Sequence, residues 1–521
     1  MNSSPPLALP ALRAHPDLGQ ALASGAHDAV LVVGPAPLSR HLPAGPLTEA
    51  LSRIERVDAV LMTERPAVVC AAVANVPGER LVAATIGDWS TWEQDVRLYA
   101  LAGAAAALRA FQAGARQPLL VVAGVPDERY ARAVEVALLG ALAAQWEPLE
   151  LRLSGDRPLR ATSLGVVSPS IDLGRIRALE LGRVVARDIS GTDPETMAPE
   201  GVASYCERVF AGSAVKVTVE RDQAVIARGY PLIAAVARAS QPVERHHPRI
   251  VRLEYVPEGP VERTLLIAGK GLTYDTGGAD LKVDGSMSGM SRDKGGAAAV
   301  AGVLKVCAER RPRGVRVVGL LGAVRNDIGP DSFVTDEIIR SRSGLRIRIG
   351  NTDAEGRLVL AELLAELREE AERSPSPALF SVATLTGHAA VAHGPYTAFV
   401  PNGRVRAGDL VSLMQTAGDA IGDPTERSSL RPEDYAFIAP KSAAEDVLSC
   451  NTLASSRTPR GHQFPAAFLD VVSGLRALDK RAGLPFVHVD IAGSTVSGGG
   501  WAHGVPTGAP VLAMSEGLGL V

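Results

Sequence analysis

The chain is poor in several features that 521 residues could easily hold, and each shortage removes a class of protein. Only four cysteines are present, Cys70, Cys206, Cys307 and Cys450, and no two of them form a CxxC pair. They read as reduced core or surface thiols, which suits a cytoplasmic protein better than a secreted one. No stretch approaches the roughly 20 uncharged apolar residues of a membrane span. The best, 98–108, is short and closed off by Arg97 and Arg109. The opening residues, Met1-Asn2-Ser3-Ser4-Pro5-Pro6, lack the basic region and apolar core of a secretory leader. An excess of either charge is missing too: a formal net charge of −3 and an isoelectric point near 6.4 give no global attraction to nucleic acid or an anionic membrane. No internal repeat or low-complexity tract is present. The expectation is a cytoplasmic protein that meets no membrane, with nucleic acid disfavoured as a partner and open only through a local basic patch.

Several catalytic signatures are absent as well. No Gly-x-Ser-x-Gly elbow stands at a strand end, so a Ser-His-Asp hydrolase is unsupported. His388 and His393 sit five apart and His488 precedes Asp490 by two, but neither spacing gives the i, i+4 helical pairing of a zincin. A histidine zinc site is the weaker reading. His246-His247, in a polar Arg/Pro stretch, reads as surface.

What is present is an ordinary globular balance, 46% apolar and 21% charged. At roughly 100 to 200 residues per domain, the length suggests two or three units. In the first third, apolar runs at 29–33, 59–62, 68–73, 81–86 and 119–125 read as strands. Helical patterns at 92–112 and 127–145 complete an N-terminal α/β domain, 1–168. Nothing catalytic converges there; Gly34-Pro35-Ala36-Pro37 is a turn, not a phosphate cradle, and a packing or assembly role fits. A helix over 171–188 suits a linker (169–190), which Ser190-Gly191-Thr192-Asp193-Pro194 breaks. A helix from 197 to 210, a strand at 215–219 and a helix at 232–236 open the third region, 191–521.

From Thr264 the character changes. A buried strand at 265–268 runs into Gly269-Lys270-Gly271-Leu272-Thr273-Tyr274-Asp275-Thr276-Gly277-Gly278, followed by Lys282, Met287, Met290 and the run Arg292-Asp293-Lys294-Gly295-Gly296. The Gly-Gly pairs permit tight backbone approach. Strands at 315–321 and 379–385 alternate with helices at 297–307 and 358–368, which predicts a catalytic α/β domain with a mainly parallel central sheet flanked by helices.

The densest chemistry lies in Asn351-Thr352-Asp353-Ala354-Glu355-Gly356-Arg357-Leu358-Val359-Leu360. In an extended segment Asp353 and Glu355 share one face and Arg357 continues the alternation, at a strand-to-helix junction where open α/β sheets bind ligands. The bland alternative is a helix cap by Asn351 or Asp353. Lys270, Asp275, Asp293, Asp353 and Glu355 together form a constellation whose four carboxylates would repel strongly unless cations compensate. Divalent metal is the simplest compensation, with two ions about 3.5 to 4 Å apart polarising a carbonyl and activating water. Lys282 and Arg357 remain as cations for a developing oxyanion.

These segments, with Ala383-Thr384-Leu385-Thr386-Gly387, resemble in order and spacing the leucine aminopeptidase (cytosol aminopeptidase) family of two-metal exopeptidases, over roughly 165–515. The N-terminal domain resembles that family only in size, position and α/β character. The resemblance implies a metal-dependent aminopeptidase acting on peptides, with two divalent ions per subunit, zinc or manganese, with magnesium or cobalt as alternatives. Asp275 and Glu355 would bridge the ions, Lys270 and Asp293 would complete the tighter site, and Asp353 the more exchangeable one. Lys282 would stabilise the gem-diolate and Arg357 would hold a bicarbonate acting as general base. Met290, Thr384, Leu385, Gly387 and Ala492 would line the pocket for the first side chain.

Departures from the family pattern are Tyr274, Lys294, the loop Arg325-Asn326-Asp327-Ile328-Gly329-Pro330 and the glycine-rich tail 498–504, all bearing on substrate preference. The family further implies a homohexamer. The competing functions are a dipeptidase of the same fold, for example on Cys-Gly, and a DNA-binding or scaffolding role.

Overall fold

The structure, a computed structural model, describes residues 9–63, 66–154, 160–405, 409–476, 483–498 and 503–521. The chain divides into two compact units, 1–181 with 416–423 and 182–415 with 424–521. The helix expected at 171–188 is Leu173–Gly191, and the division falls inside it.

The first unit is built on β1 (Ala11–His15), β2 (Ala29–Gly34), β3 (Val68–Ala72), β4 (Arg80–Thr85), β5 (Pro118–Val122) and β6 (Ser163–Val167), in the order β1-β6-β5-β2-β4-β3. Every neighbouring pair is parallel except β3 with β4 at one edge. Strand β2 is buried at all six positions, which is why its sequence shows no alternation. Helices Arg97–Gln112 and Ala133–Ala143 press together through glycines. A Cβ on Gly103 would lie 2.2 Å from the Ala137 carbonyl oxygen, and one on Gly140 2.1 Å from that of Ala100.

Two expectations fail in this unit. The run 59–62 is a 3-10 turn, Ala59–Met62, whose first N–H groups are served by the Asp58 carboxylate; four apolar residues are too few for periodicity to separate strand from helix. The helix expected from 92 begins only at Arg97, because Asp95 accepts from Arg97 N at 2.9 Å and starts it there. Strands β1 and β6 were not anticipated at all.

The second unit carries β7 (Val215–Glu220), β8 (Arg249–Tyr255), β9 (Arg263–Asp275), β10 (Val315–Asn326), β11 (Ile338–Arg340), β12 (Arg346–Arg348), β13 (Pro377–Ala383), β14 (Thr397–Pro401), β15 (Thr425–Arg427), β16 (Val447–Leu448) and β17 (Phe486–Asp490). Its main sheet runs β15-β14-β17-β13-β9-β10-β8-β7, while β11, β12 and β16 form a small sheet of their own. The central four, β17-β13-β9-β10, are parallel throughout; β14 against β17, β8 against β10 and β7 against β8 are antiparallel. The result is the expected α/β sheet with a parallel centre.

Glycines set how close the covering helices come. A Cβ on Gly269 would lie 2.8 Å from Ala297 Cα, and one on Gly296 2.0 Å from the Val382 carbonyl oxygen, so helix Gly295–Arg310 rests backbone to backbone on β9 and β13. On β10, Gly319 faces Val300 and Leu304 of that helix, whereas Gly322, three positions on and hence on the opposite face, meets Val359 and Leu363 of helix Gly356–Ala371. The sheet is therefore covered on both sides. Burying Leu358, Val359, Leu360, Leu363, Leu364 and Leu367 completely contributes on the order of 10 kcal/mol of apolar burial, before ordering entropy is subtracted.

Candidate metal centre and active site

The parallel strands deliver their carboxyl ends to one place. Strand β9 ends on Asp275, β10 on Asn326 and β17 on Asp490, and β13 passes into Thr384–Gly387. That edge is where open α/β sheets bind ligands. After Asp275 the chain reverses through Gly277 and Gly278 at φ +86° and +68°. A side chain at Gly277 would meet the Asp280 carbonyl oxygen at 2.4 Å, so glycine is required there. The reversal is closed by Lys282 N donating to the Thr276 carbonyl at 2.9 Å, which brings Lys282 back over the strand end.

The five expected ligands come together. Lys270 Nζ lies 2.8 Å from Asp293 Oδ2 and 3.1 Å from Glu355 Oε1, and donates to the Thr384 carbonyl at 3.1 Å. Lys282 Nζ is 2.9 Å from Asp275 Oδ2 and pairs closely with Asp353 Oδ1. Asp275, Asp293 and Glu355 each place a carboxylate oxygen within 4.8 Å of the other two. A Cβ on Gly356 would lie 2.6 Å from Lys270 Cε, so this glycine leaves the corridor through which Lys270 reaches the cluster.

The local structure of 351–357 differs from the extended reading. Thr352–Ala354 is a 3-10 turn with Asn351 Oδ1 accepting from Asp353 N at 2.7 Å, and Glu355 already has helical dihedrals. The preceding strand, β12, belongs to the small sheet rather than to the main one. Asp353 and Glu355 converge on the cluster because the turn and the first helical residue aim them there, not because of strand alternation. Asn351 is the cap, as the alternative reading had it for that residue.

Electrostatics shows how far the cluster is from self-sufficient. Four carboxylates share two lysines. Burial, then the charge of Asp275, pushes Glu355 up to about 8, and burial pushes Asp293 up to about 6. Asp353 is raised by burial and by Asp275. Burial alone would lower both lysines, yet the carboxylates hold them above their ordinary value. That direction is opposite to the neutral amine a lysine ligand needs. A dication among the carboxylates would reverse it by taking over as counter-charge. Glu355 Oε2 has no hydrogen-bond partner among the described residues, and Asp293 Oδ2, though beside Lys270, receives no directed hydrogen bond. Buried oxygens left open in this way, from hard carboxylate donors, fit divalent metal.

A cavity of about 880 Å³ opens on the cluster. Lys270, Asp275, Lys282, Asp293, Asp353 and Arg357 line it, as do Met290, Thr384, Leu385, Gly387 and Ala492. Glu355 is not in the lining; it is 1% exposed and sits behind the others. Arg357 is buried, its pKa lowered by that burial, with Phe464 5.0 Å from its guanidinium carbon. Its Nη1 donates to the Ser449 carbonyl at 2.8 Å and its Nε has no partner among the described residues. From the glycine-rich tail, His503 reaches the lining, while 499–502 lie outside the described residues.

Several residues take supporting roles that the sequence did not assign to them. Asn326, in a loop read as a departure affecting preference, donates to Asp275 Oδ1 at 2.8 Å and so orients an expected ligand directly. Thr384 Oγ1 donates to Asp293 Oδ1 at 2.7 Å. Asp280 accepts from Thr352 N at 2.6 Å and donates its own N–H to Thr352 Oγ1 at 2.8 Å, tying the two ligand-bearing loops together. Lys294 is fully buried, donating to the Thr192 carbonyl at 2.8 Å.

The histidines sort differently from expectation in one case. His246 is 7% exposed, a core residue rather than a surface one, because helix Pro199–Phe210 packs against its turn. His388 and His393 do approach each other's neighbourhood, through His462, but in a row. His462 meets His388 with Nδ1 at 2.7 Å and His393 with Nε2 at 3.4 Å, opposite sides of one ring. Nitrogens on opposite sides cannot both aim at one ion.

Residues 184–515 match the sequence profile of the cytosol aminopeptidase family, catalytic domain. The chain belongs to the cytosol aminopeptidase family. It is accordingly a metal-dependent aminopeptidase, a hydrolase whose substrates are peptides. A Caenorhabditis elegans protein named as a candidate aminopeptidase is 41% identical over 425 residues, which cover 80% of this chain and 81% of that protein. A candidate cytosol aminopeptidase of Persephonella marina is 32% identical over 63% of this chain and 62% of its own length. Among solved structures, the bottromycin maturation enzyme BotP in complex with Mn is similar, with a TM-score of 0.75 and 26% identity over 94% of this chain and 99% of that one. No helix among the described residues is long and apolar enough to cross a membrane.

Proposed function

We propose that this aminopeptidase releases single residues from the N-terminus of peptides using two divalent ions, zinc or manganese. Lys270, Asp275, Asp293, Asp353 and Glu355 would hold the ions, Lys270 and Asp293 at the tighter site, Asp353 at the more exchangeable one, and Asp275 and Glu355 serving both. When bound, the ions supply Lewis acidity and lower the pKa of water to near neutrality. The observation that carries this reading is the sharing of four carboxylates between two lysines on the floor of a peptide-sized cavity.

The chain's own groups have separable tasks. Lys282, at the cavity surface beside Asp275, donates to the oxygen on which negative charge develops. Arg357 would hold a bicarbonate, which would supply general-base chemistry, through charge-assisted donors that burial strengthens. Met290, Thr384, Leu385, Gly387 and Ala492 receive the first side chain, an apolar one. The cavity continues to Leu453, Ser456 and Phe464, which favours peptides longer than two residues. The enzyme acts in the cytoplasm as a homohexamer, with the first unit in an assembly role.

Hydrolysis of amino-acid arylamides with added manganese or zinc, compared with Asp353→Ala, is the test; equal activity in the two proteins rules the reading out. A panel of dipeptides against longer peptides decides the length preference, and sedimentation as a stable monomer would refute the hexamer.

A further inference from the structure

Asp490 ends β17 in register with Ala383 at the end of β13, and it is fully buried. No lysine or arginine pairs with it among the described residues; the nearest ionisable partner is His488, with Nε2 3.9 Å from Oδ2. A buried carboxylate without a cation is costly and persists when hydrogen bonds satisfy it and the geometry it imposes is needed. Its oxygens are satisfied by two separate loops. Oδ1 accepts from Leu385 N at 3.2 Å and from Ala492 N at 3.1 Å, and Oδ2 accepts from Thr386 Oγ1 at 2.7 Å. Thr386 Oγ1 in turn accepts from Ala389 N at 3.1 Å and caps the helix Gly387–His393. At its other end the same loop is fixed by Thr384, whose hydroxyl donates to Asp293 and whose carbonyl accepts from Lys270. One charge therefore holds both the 385–387 wall and the Ala492 wall of the cavity.

We propose that Asp490 is a positioning residue for substrate selection: it clamps the two walls at the separation that admits a branched apolar first side chain. This rests on the proposed reading of the cavity as the first-residue pocket. Asp490 touches no reacting atom, so its loss relaxes the pocket without removing a metal ligand.

The test uses the full-length, manganese-loaded protein with Asp490→Asn, Thr386→Val and Thr386→Ser. Asparagine removes the charge, which weakens both backbone N–H bonds to Oδ1, and turns a donor toward Thr386. Two measurements are made: hydrogen exchange of 384–393 and 491–498, and calorimetric binding of leucinamide against glycinamide. In Asp490→Asn the exchange of both segments quickens together, while the preference for leucinamide falls about fivefold or more with manganese content unchanged. Thr386→Val falls part of the way and Thr386→Ser stays with the wild type. Quickening of only one segment or of neither, or equal weakening of both amides, overturns the proposal. A wild type that hydrolyses no arylamide refutes the aminopeptidase reading of the cavity instead, and the exchange measurement still decides whether the clamp exists.

Discussion

The two units are built from the same parts, a largely parallel sheet whose central strands are buried on both faces and covered by helices, yet only one of them assembles chemistry at its strand ends. In the first unit β2, β4 and β5 close on Gly34, Thr85 and Val122, and in the loops that follow Asp95 pairs with Arg97 and Asp127 with Arg129, each arginine two residues from its acid. Such pairs are made within one loop, although Arg129 also donates to the Thr91 carbonyl at 2.7 Å. In the second unit Asp275, Asp293, and Asp353 with Glu355 come from three separate segments and share Lys270 and Lys282. Architecture makes the edge available; a charge deficit distributed over distant segments makes it reactive.

The largest expected effect is on that deficit. Asp353→Ala or Glu355→Ala should lower kcat/KM by about a thousandfold or more and reduce bound metal, measured by arylamide kinetics and elemental analysis; a variant with full activity and full metal would erase the contrast between the units. Next, Gly356→Ala places a methyl 2.6 Å from Lys270 Cε and should weaken metal affinity about 10- to 100-fold, read by competition with a chelator, since the lysine must shift to make room.

A stability effect follows from Glu362, 1% exposed on the helix behind the cluster, whose Oε1 accepts from Leu232 N and Arg342 N while Oε2 has no partner among the described residues. Burial raises its pKa to about 8 from an unfolded 4.5. The folded state holds its proton more tightly, so this contribution to stability is complete below pH 4.5 and is lost as pH rises toward 8, by up to about 5 kcal/mol. Glu362→Gln should therefore flatten the pH dependence, gaining stability relative to the wild type at pH 9 but not at pH 4.5, in urea titrations at both. The smallest effect belongs to the first unit: Arg129→Ala should leave kcat and metal content unchanged, and a measurable change in either would show that its surface pairs are not merely local.

Lys270, Lys282, the carboxylates and Arg357 stood out in the sequence because each lies near a glycine pair or a dense polar run interrupting apolar segments. Their supporting partners did not. Asn326 stands in the polar run Arg325-Asn326-Asp327 and Asp490 at the end of a short strand, and an Asn or Asp after an apolar run reads equally well as a turn. His246 departs from its reading for a related reason: its Arg- and Pro-rich neighbours say surface, while its burial depends on packing by helix Pro199–Phe210, which no local pattern announces. The 59–62 run failed because four residues carry too little periodicity.

Local pattern, then, determined the alternation of strands and helices, the apolar faces that must be covered, and the chemical types available to the site, because propensity and periodicity act over a few residues. Tertiary structure alone decided that Glu355 stands behind Lys270 and that one buried carboxylate holds two loops. It also decided that four carboxylates have only two lysines between them. Those relations depend on β17, β13, β9 and β10 lying side by side, an order set by the global packing of the sheet and not by any segment within it.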